Sequence, residues 1–169
     1  MARIEYPDAG DDALVDRIVA ERGTLLNLYR MLLHNAGLAE GWLRLGTAVG
    51  RELSLDDRTR ELVVCAIAAS TGASYEWQHH AGIASEQGVS AAQLAALRDA
   101  DRSAFDDRDR AVLAAVDVVG RDPGSARQEL ADLRAWLDEA AIAELVVVIG
   151  FYWMVTRVTL ALDIDADPD

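Results

Sequence analysis

The chain has 169 residues, 51% of them hydrophobic and 27% charged, with a formal net charge of −13 at pH 7. That mixture belongs to a globular chain with a sizeable core and excludes intrinsic disorder. The acidic balance argues against nucleic acid, which needs a basic footprint, and against anionic membrane surfaces. All 16 basic residues are arginine, and the single cysteine, Cys65, rules out an intramolecular disulfide and fits a reducing cytoplasm. Residues 1–8 carry no apolar signal core, and no uninterrupted apolar run reaches the ~18 residues of a membrane span. A cytoplasmic, membrane-free protein of one domain, residues 1–169, is expected.

Taken in order, residues 1–10 read as an extended arm ending in Pro7-Asp8-Ala9-Gly10. Asp11 or Asp12 caps a first helix with Leu14, Ile18 and Val19 on one face, and Gly23-Thr24 breaks it. Leu25 to Leu33 mark a second helix, ended by His34-Asn35-Ala36-Gly37, where His34 reads as a C-terminal cap rather than a site residue. Trp42 to Val49 give a third, closed by Gly50, and Ser54-Leu55-Asp56-Asp57 opens a fourth that carries Glu61. Ser70 to Ser74 form a breaker cluster in which Gly72 takes the left-handed conformation and Ser74 caps the next helix. Ser90-Ala91-Ala92-Gln93 has capping-box spacing and opens a short helix through Leu97. Asp99 to Asp109 reads as a solvated connector of helix-opening acids in preference to a metal loop. Helices over Asp109–Val119, Ala126–Leu137 and Asp138–Leu162 complete the chain. The last is apolar on every side between Leu145 and Val155, which implies burial all round and a subunit interface. Two short echoes suggest a duplicated helical unit. Asp57-Arg58-Thr59-Arg60 recurs as Asp107-Arg108-Asp109-Arg110, and Glu61-Leu62-Val63-Val64 as Glu144-Leu145-Val146-Val147. The acidic tail, residues 163–169, reads as frayed.

The chemistry concentrates at Tyr75-Glu76-Trp77-Gln78-His79-His80. Residues four apart share a helix face, so Glu76 and His80 project together with Ile83 and Ala84, while His79 falls on a more polar side with Tyr75, Gly82 and Glu86. An inward carboxylate and imidazole form a candidate acid–base pair whose pKa values respond to burial. Glu61, on the preceding helix, completes a set of two carboxylates and one histidine. Cys65, one turn further on, reads as a small buried apolar residue because there is no resolving cysteine. A Glu76/His79/His80 metal site is disfavoured, since adjacent histidines point to different faces. Neither metal nor cofactor is expected.

Arg60-Glu61-Leu62-Val63, the turn, Tyr75-Glu76-Trp77-x-x-His80, Ile83-Ala84 and Gly88-Val89-Ser90 resemble the carboxymuconolactone decarboxylase family of alkylhydroperoxidase D-like proteins. The resemblance extends over roughly Leu25 to Leu162, with Tyr152 and Arg157 as a weaker late match. It implies an all-α bundle around an antiparallel helix hairpin, assembled as a homo-oligomer, a trimer or hexamer. It also implies a lyase of aromatic-compound catabolism acting on a small carboxylated lactone or aromatic-derived substrate. In that scheme His80 gives a proton to the enolate left by loss of CO2, Glu76 orients the ring, and Glu61 tunes or relays. Trp77, Tyr152 and Arg157 are the candidate substrate contacts. Arg60 and Arg157 are the cations available to a dianionic substrate, with an ion pair from Arg157 to a buried glutamate as the alternative. The peroxidase branch carries a Cys-x-x-Cys pair; here those places hold Ala73 and Glu76, so the redox centre is missing. A non-catalytic binding or structural oligomer of the same fold is the other reading.

Overall fold

The computed structural model describes residues 1–8 and 12–168. Among these residues the chain is helical and without strands: α1 (Asp12–Arg22), α2 (Asn27–Leu32), α3 (Ala36–Arg51), α4 (Asp57–Thr71), α5 (Ser74–Glu86), α6 (Ala91–Arg98), α7 (Asp107–Arg121), α8 (Arg127–Asp132) and α9 (Glu139–Leu162). The chain divides into two compact units, Met1–Glu52 joined by the chain from Val158 onward, and Leu53–Arg157.

In the first unit α1 buries Leu14 and Ile18 as their spacing requires, but Val19 is 38% exposed, because adjacent helical residues point in different directions. The proposed cap at Asp11 lies outside the described residues. Helix α2 ends at Leu32, just ahead of the stop expected at His34–Gly37, but the second half of that stretch already opens a new helix: the Asn35 side chain accepts from the Leu38 amide at 3.0 Å, and Ala36 and Gly37 form the first turn of α3. His34 caps nothing; its Nε2 lies 3.0 Å from the Glu5 carbonyl oxygen. The tail, whose last residue lies outside the described ones, is tied down at Asp165 and Ala166 rather than frayed there. Asp165 accepts from the Ala2 amide at 3.1 Å and the Tyr6 hydroxyl at 3.2 Å, and the Asn27 side-chain amide donates to the carbonyls of Asp165 and Ala166.

The second unit is organised on α4. Asp56 caps it by accepting from the Thr59 amide at 2.9 Å, and every residue from Thr59 to Ala68 is buried. Helices α5, α6 and α7 pack on it. Gly72, at φ +70°, makes the left-handed stop that only glycine takes without strain, and α5 starts two residues later. That turn is too tight for the cap expected of Ser74, which is already the first helical residue; Ser70 and Thr71 instead donate back to the Ile67 carbonyl. The Ser90–Gln93 capping box forms as its spacing predicts. Asp106 caps α7 through the Asp109 amide at 2.8 Å. The helix expected over Ala126–Leu137 is broken into α8 and a 3₁₀ turn at Leu133–Ala135, with another 3₁₀ turn, Pro123–Ser125, just before it.

Helix α9 starts where Asp138 accepts from the Ala141 amide at 2.8 Å. It is not buried all round. Leu145, Val148, Ile149 and Tyr152 are inside, but Val147 is 51% and Met154 39% exposed, and Ala143 and Gly150 join them in one surface stripe. By length and composition alone, with a mean hydropathy of 1.9, α9 would also pass for a membrane span. A Cβ placed on Gly120 would stand 2.1 Å from Trp153 Nε1, so only glycine in α7 lets that indole lie where it does.

Candidate functional site

Glu61 on α4 and His80 on α5 meet. Glu61 is 3% exposed, and its Oε2 lies 2.8 Å from His80 Nδ1. Its other oxygen accepts from Arg60 at 3.3 Å, and Arg60 also donates to Asp57 at 2.5 Å, so one guanidinium bridges both carboxylates. Burial works to lower the Arg60 pKa, but the Asp57 hydrogen bond and the charges of Glu61 and Asp57 outweigh it, and the net direction is up. A buried carboxylate is tolerated only with such partners. The cation read from the sequence as available to substrate is therefore committed to holding Glu61. The i,i+3 spacing of Asp57 and Arg60 was the signal for that.

The His80 ring stands edge-on to Tyr152, with centroids 5.2 Å apart and planes at 87°, and Phe151 packs in turn on Tyr152. The His80 side chain keeps 17% of its surface exposed, and its Nε2 has no hydrogen-bond partner among the described residues. A carboxylate accepting from Nδ1–H fixes the tautomer, orients the ring and stabilises the imidazolium, which leaves Nε2 as the atom that exchanges a proton. Glu76 is 3% exposed and lies one turn before His80 on the same face of α5. Cys65 is fully buried; desolvation, reinforced by the Glu61 charge, pushes its thiol pKa up to about 12, so it stays a protonated, unreactive thiol.

Other expectations are corrected. The buried stripe of α5 runs through Tyr75, Glu76 and Ala84, so it straddles the two faces that the spacing separates. Ile83, assigned to the inward side, is 41% exposed, and Tyr75, assigned to the polar side, is buried with its ring 4.7 Å from His79. Trp77 lies beneath the Arg98 guanidinium, 4.2 Å from the ring centroid, and lines a cavity of about 270 Å³ with Ala73 and Gln78 that Glu61 and His80 do not line. Arg157 is exposed, stacked 4.4 Å over Trp153 and donating to the Trp153 carbonyl at 3.1 Å. It makes no ion pair with Glu61 or Glu76, because position 157 continues the surface stripe of α9 one turn beyond Met154. The structure thus gathers Glu61, His80 and Tyr152, with Glu76 on the face of His80, and sets Trp77 and Arg157 apart. No group of His, Cys, Asp and Glu side chains suited to a metal ion occurs among the described residues.

Residues 36–118 match the carboxymuconolactone decarboxylase family, a span that holds Glu61, Glu76 and His80 but ends before Tyr152 and Arg157. Solved structures share the fold. A peroxidase-related protein from Silicibacter sp. TM1040 superposes with a TM-score of 0.82 at 15% identity, covering 98% of this chain and 92% of that one. An alkylhydroperoxidase AhpD core protein from Ralstonia eutropha JMP134 gives 0.84 at 15% identity, with the same coverage. The debrominase Bmp8 in complex with 2,3,4-tribromopyrrole gives 0.74 at 18% identity, covering 92% of this chain and 84% of that one. No curated protein sequence matches the chain. The Arg60-Glu61 and Glu76-x-x-x-His80 positions thus lie inside the span, residues 36–118, that matches the carboxymuconolactone decarboxylase family, and the chain shares the fold of the alkylhydroperoxidase AhpD core protein along nearly its whole length.

Proposed function

We propose that the protein is an acid–base enzyme that removes a carboxylate from a small lactone or aromatic-derived acid and protonates the carbanion that remains. The observation that supports this reading is the buried Glu61 carboxylate on His80 Nδ1 at 2.8 Å, with Nε2 left open. In the reaction the bond from carbon to carboxylate breaks, CO2 departs, and the electron pair passes into an extended enolate. Nε2–H of the imidazolium then closes on carbon, and the ring recovers its proton from water. Glu61 holds the charged ring, Glu76 limits its rotation, and Tyr152 walls it. The two arms of the helix hairpin supply the pair. A homo-oligomer, trimeric or hexameric, would cover the surface stripe of α9.

Thiol peroxidase chemistry fits less well, because the cysteine-pair positions are Ala73 and Glu76 and the Cys65 thiol is buried with its pKa raised. A purely binding role lacks a reason for the open Nε2.

The experiment is decarboxylation of carboxymuconolactone followed by absorbance, with peroxide turnover measured beside it on wild type, His80→Gln and His79→Gln. Decarboxylation without peroxide turnover is expected, falling about 10²–10⁴-fold in His80→Gln and far less in His79→Gln. Full activity in folded His80→Gln removes the histidine from the mechanism. Sedimentation as an 18.3 kDa monomer would refute the oligomer.

A further inference from the structure

A second cavity, about 540 Å³ and open to solvent, lies in the Leu53–Arg157 unit, lined among others by Arg98, Arg102, Asp117, Arg121 and Trp153. Its size falls in the roughly 300–1,000 Å³ range of small-molecule sites. Its charge is opposite to that of the chain. The molecule carries −13, yet the charged groups lining this cavity are three arginines and one aspartate, an excess of two positive charges (three minus one). Arg102 and Arg121 share Asp117, at 3.1 and 3.4 Å, so one carboxylate serves two guanidiniums. Arg98 has no ion pair among the described residues; its contact is the Trp77 indole. A local inversion of sign in an acidic molecule concentrates anions at that spot.

The rest of the wall selects among anions. Apart from Ser70, whose hydroxyl donates to the Ile67 carbonyl, it is made of alanine, leucine and valine side chains together with Trp153, whose Nε1–H is buried without an acceptor among the described residues. Planar guanidiniums pair in bidentate fashion with a planar carboxylate, and apolar walls beside an indole suit a flat hydrocarbon body better than a fully hydrated phosphate. We propose that this cavity is a binding site for a small aromatic carboxylate, distinct from the Glu61–His80 pair. The assignment does not depend on the decarboxylase reading: no residue of that pair lines the cavity. No local sequence pattern marks it, because Arg98 and Arg121 stand in the last turns of α6 and α7, where a basic residue is ordinary.

The test is a tryptophan-fluorescence titration with 1-naphthoate, alongside the neutral 1-naphthamide and inorganic phosphate. Saturable binding of 1-naphthoate is expected, weakened by salt and by about tenfold or more in Arg98→Gln and in Arg102→Gln. Arg134→Gln, which removes an exposed charge paired with Glu139 outside the cavity, leaves the Kd unchanged. Trp153→Phe diminishes the optical response, which places the ligand. His80→Gln leaves the Kd unchanged, so failure of this site and failure of the acid–base pair give different results. Thermal melts confirm that each variant is folded. The assignment is overturned by the absence of saturable 1-naphthoate binding, by equal affinity for 1-naphthamide, by a preference for phosphate, or by arginine variants that bind as wild type does.

Discussion

Helices α4 and α7 begin with the same device and end with different jobs. Asp56 caps α4 through the Thr59 amide, and Asp106 caps α7 through the Asp109 amide. Arg60 returns to Asp57 in the first turn of α4, and Arg110 to Asp107 in the first turn of α7. The two ends are cross-linked. Arg58 forks onto Asp109 with two contacts of 2.7 Å, and Arg108 reaches Asp56 at 2.5 Å. The repeated tetrad is therefore a real structural repeat, but the residue after it differs. Arg60 is succeeded by the buried Glu61, and Arg110 by Ala111. The second echo separates in the same way: Glu144 accepts from the Ser54 hydroxyl at 2.9 Å and the Leu55 amide at 2.8 Å, fastening the approach to α4, and has no histidine. The scaffold of caps and ion pairs is duplicated, and the proposed chemistry depends on position 61, where the second copy has Ala111.

The strongest way to break that view is Glu61→Gln. Glutamine keeps the volume and can still accept from Nδ1–H, but it no longer stabilises the imidazolium. Turnover of carboxymuconolactone should fall by about 10²–10⁴-fold while the fold survives. Unchanged turnover per folded molecule would make Glu61 as structural as Glu144.

Next in size is Asp109→Asn, which tests the duplicated scaffold rather than the site. Asp109 is 2% exposed and its partner Arg58 27%. Removing the charge from a buried pair costs about 3 kcal/mol, at the low end of the known range because Arg58 reaches solvent. Urea unfolding measures this, and activity per folded molecule should not change. A loss of activity larger than the loss of folded protein would tie the α7 end to the reaction.

What could be read from the chain was the local part. The caps at Asp56 and Ser90, the glycine stop at Gly72 and the i,i+4 relation of Glu76 to His80 depend on residues a few positions apart, and all of them form. The approach of Glu61 to His80 was legible because a short turn leaves two adjacent helices little choice of partner. Partners distant in sequence were not legible. Asp165 looked solvated because nothing nearby announces the Ala2 amide and Tyr6 hydroxyl that it binds. Arg157 looked buried because apolar neighbours surround it in sequence, whereas the 3.6-residue turn carries its position onto the outer stripe of α9. The arginines of the second cavity come from α6, α7 and the connector between them, and no spacing rule joins them.

The smallest expected effect is the sharpest test of the comparison, because it uses the exposed member of the same cross-link. The Arg108–Asp56 pair has side chains 29% and 47% exposed, where Asp109 in its counterpart is almost wholly buried. An exposed pair contributes about 0–1 kcal/mol, so Arg108→Gln should cost less than ~1 kcal/mol in urea unfolding at neutral pH, and less still in concentrated salt. Acid supplies the sign. Burial alone would raise the Asp56 pKa, but the Thr59 amide, Arg108 and the Thr59 hydroxyl outweigh it and hold the group below its ordinary 3.8. A depressed carboxylate lends stability above its ordinary pKa and loses it as pH falls through the folded value. The difference between wild type and Arg108→Gln should therefore be largest at neutral pH and close as Asp56 takes up its proton below 3.8. A difference that widens in acid, or one as large as that of Asp109→Asn, would mean that the two halves of the cross-link are not the buried and exposed versions of one device.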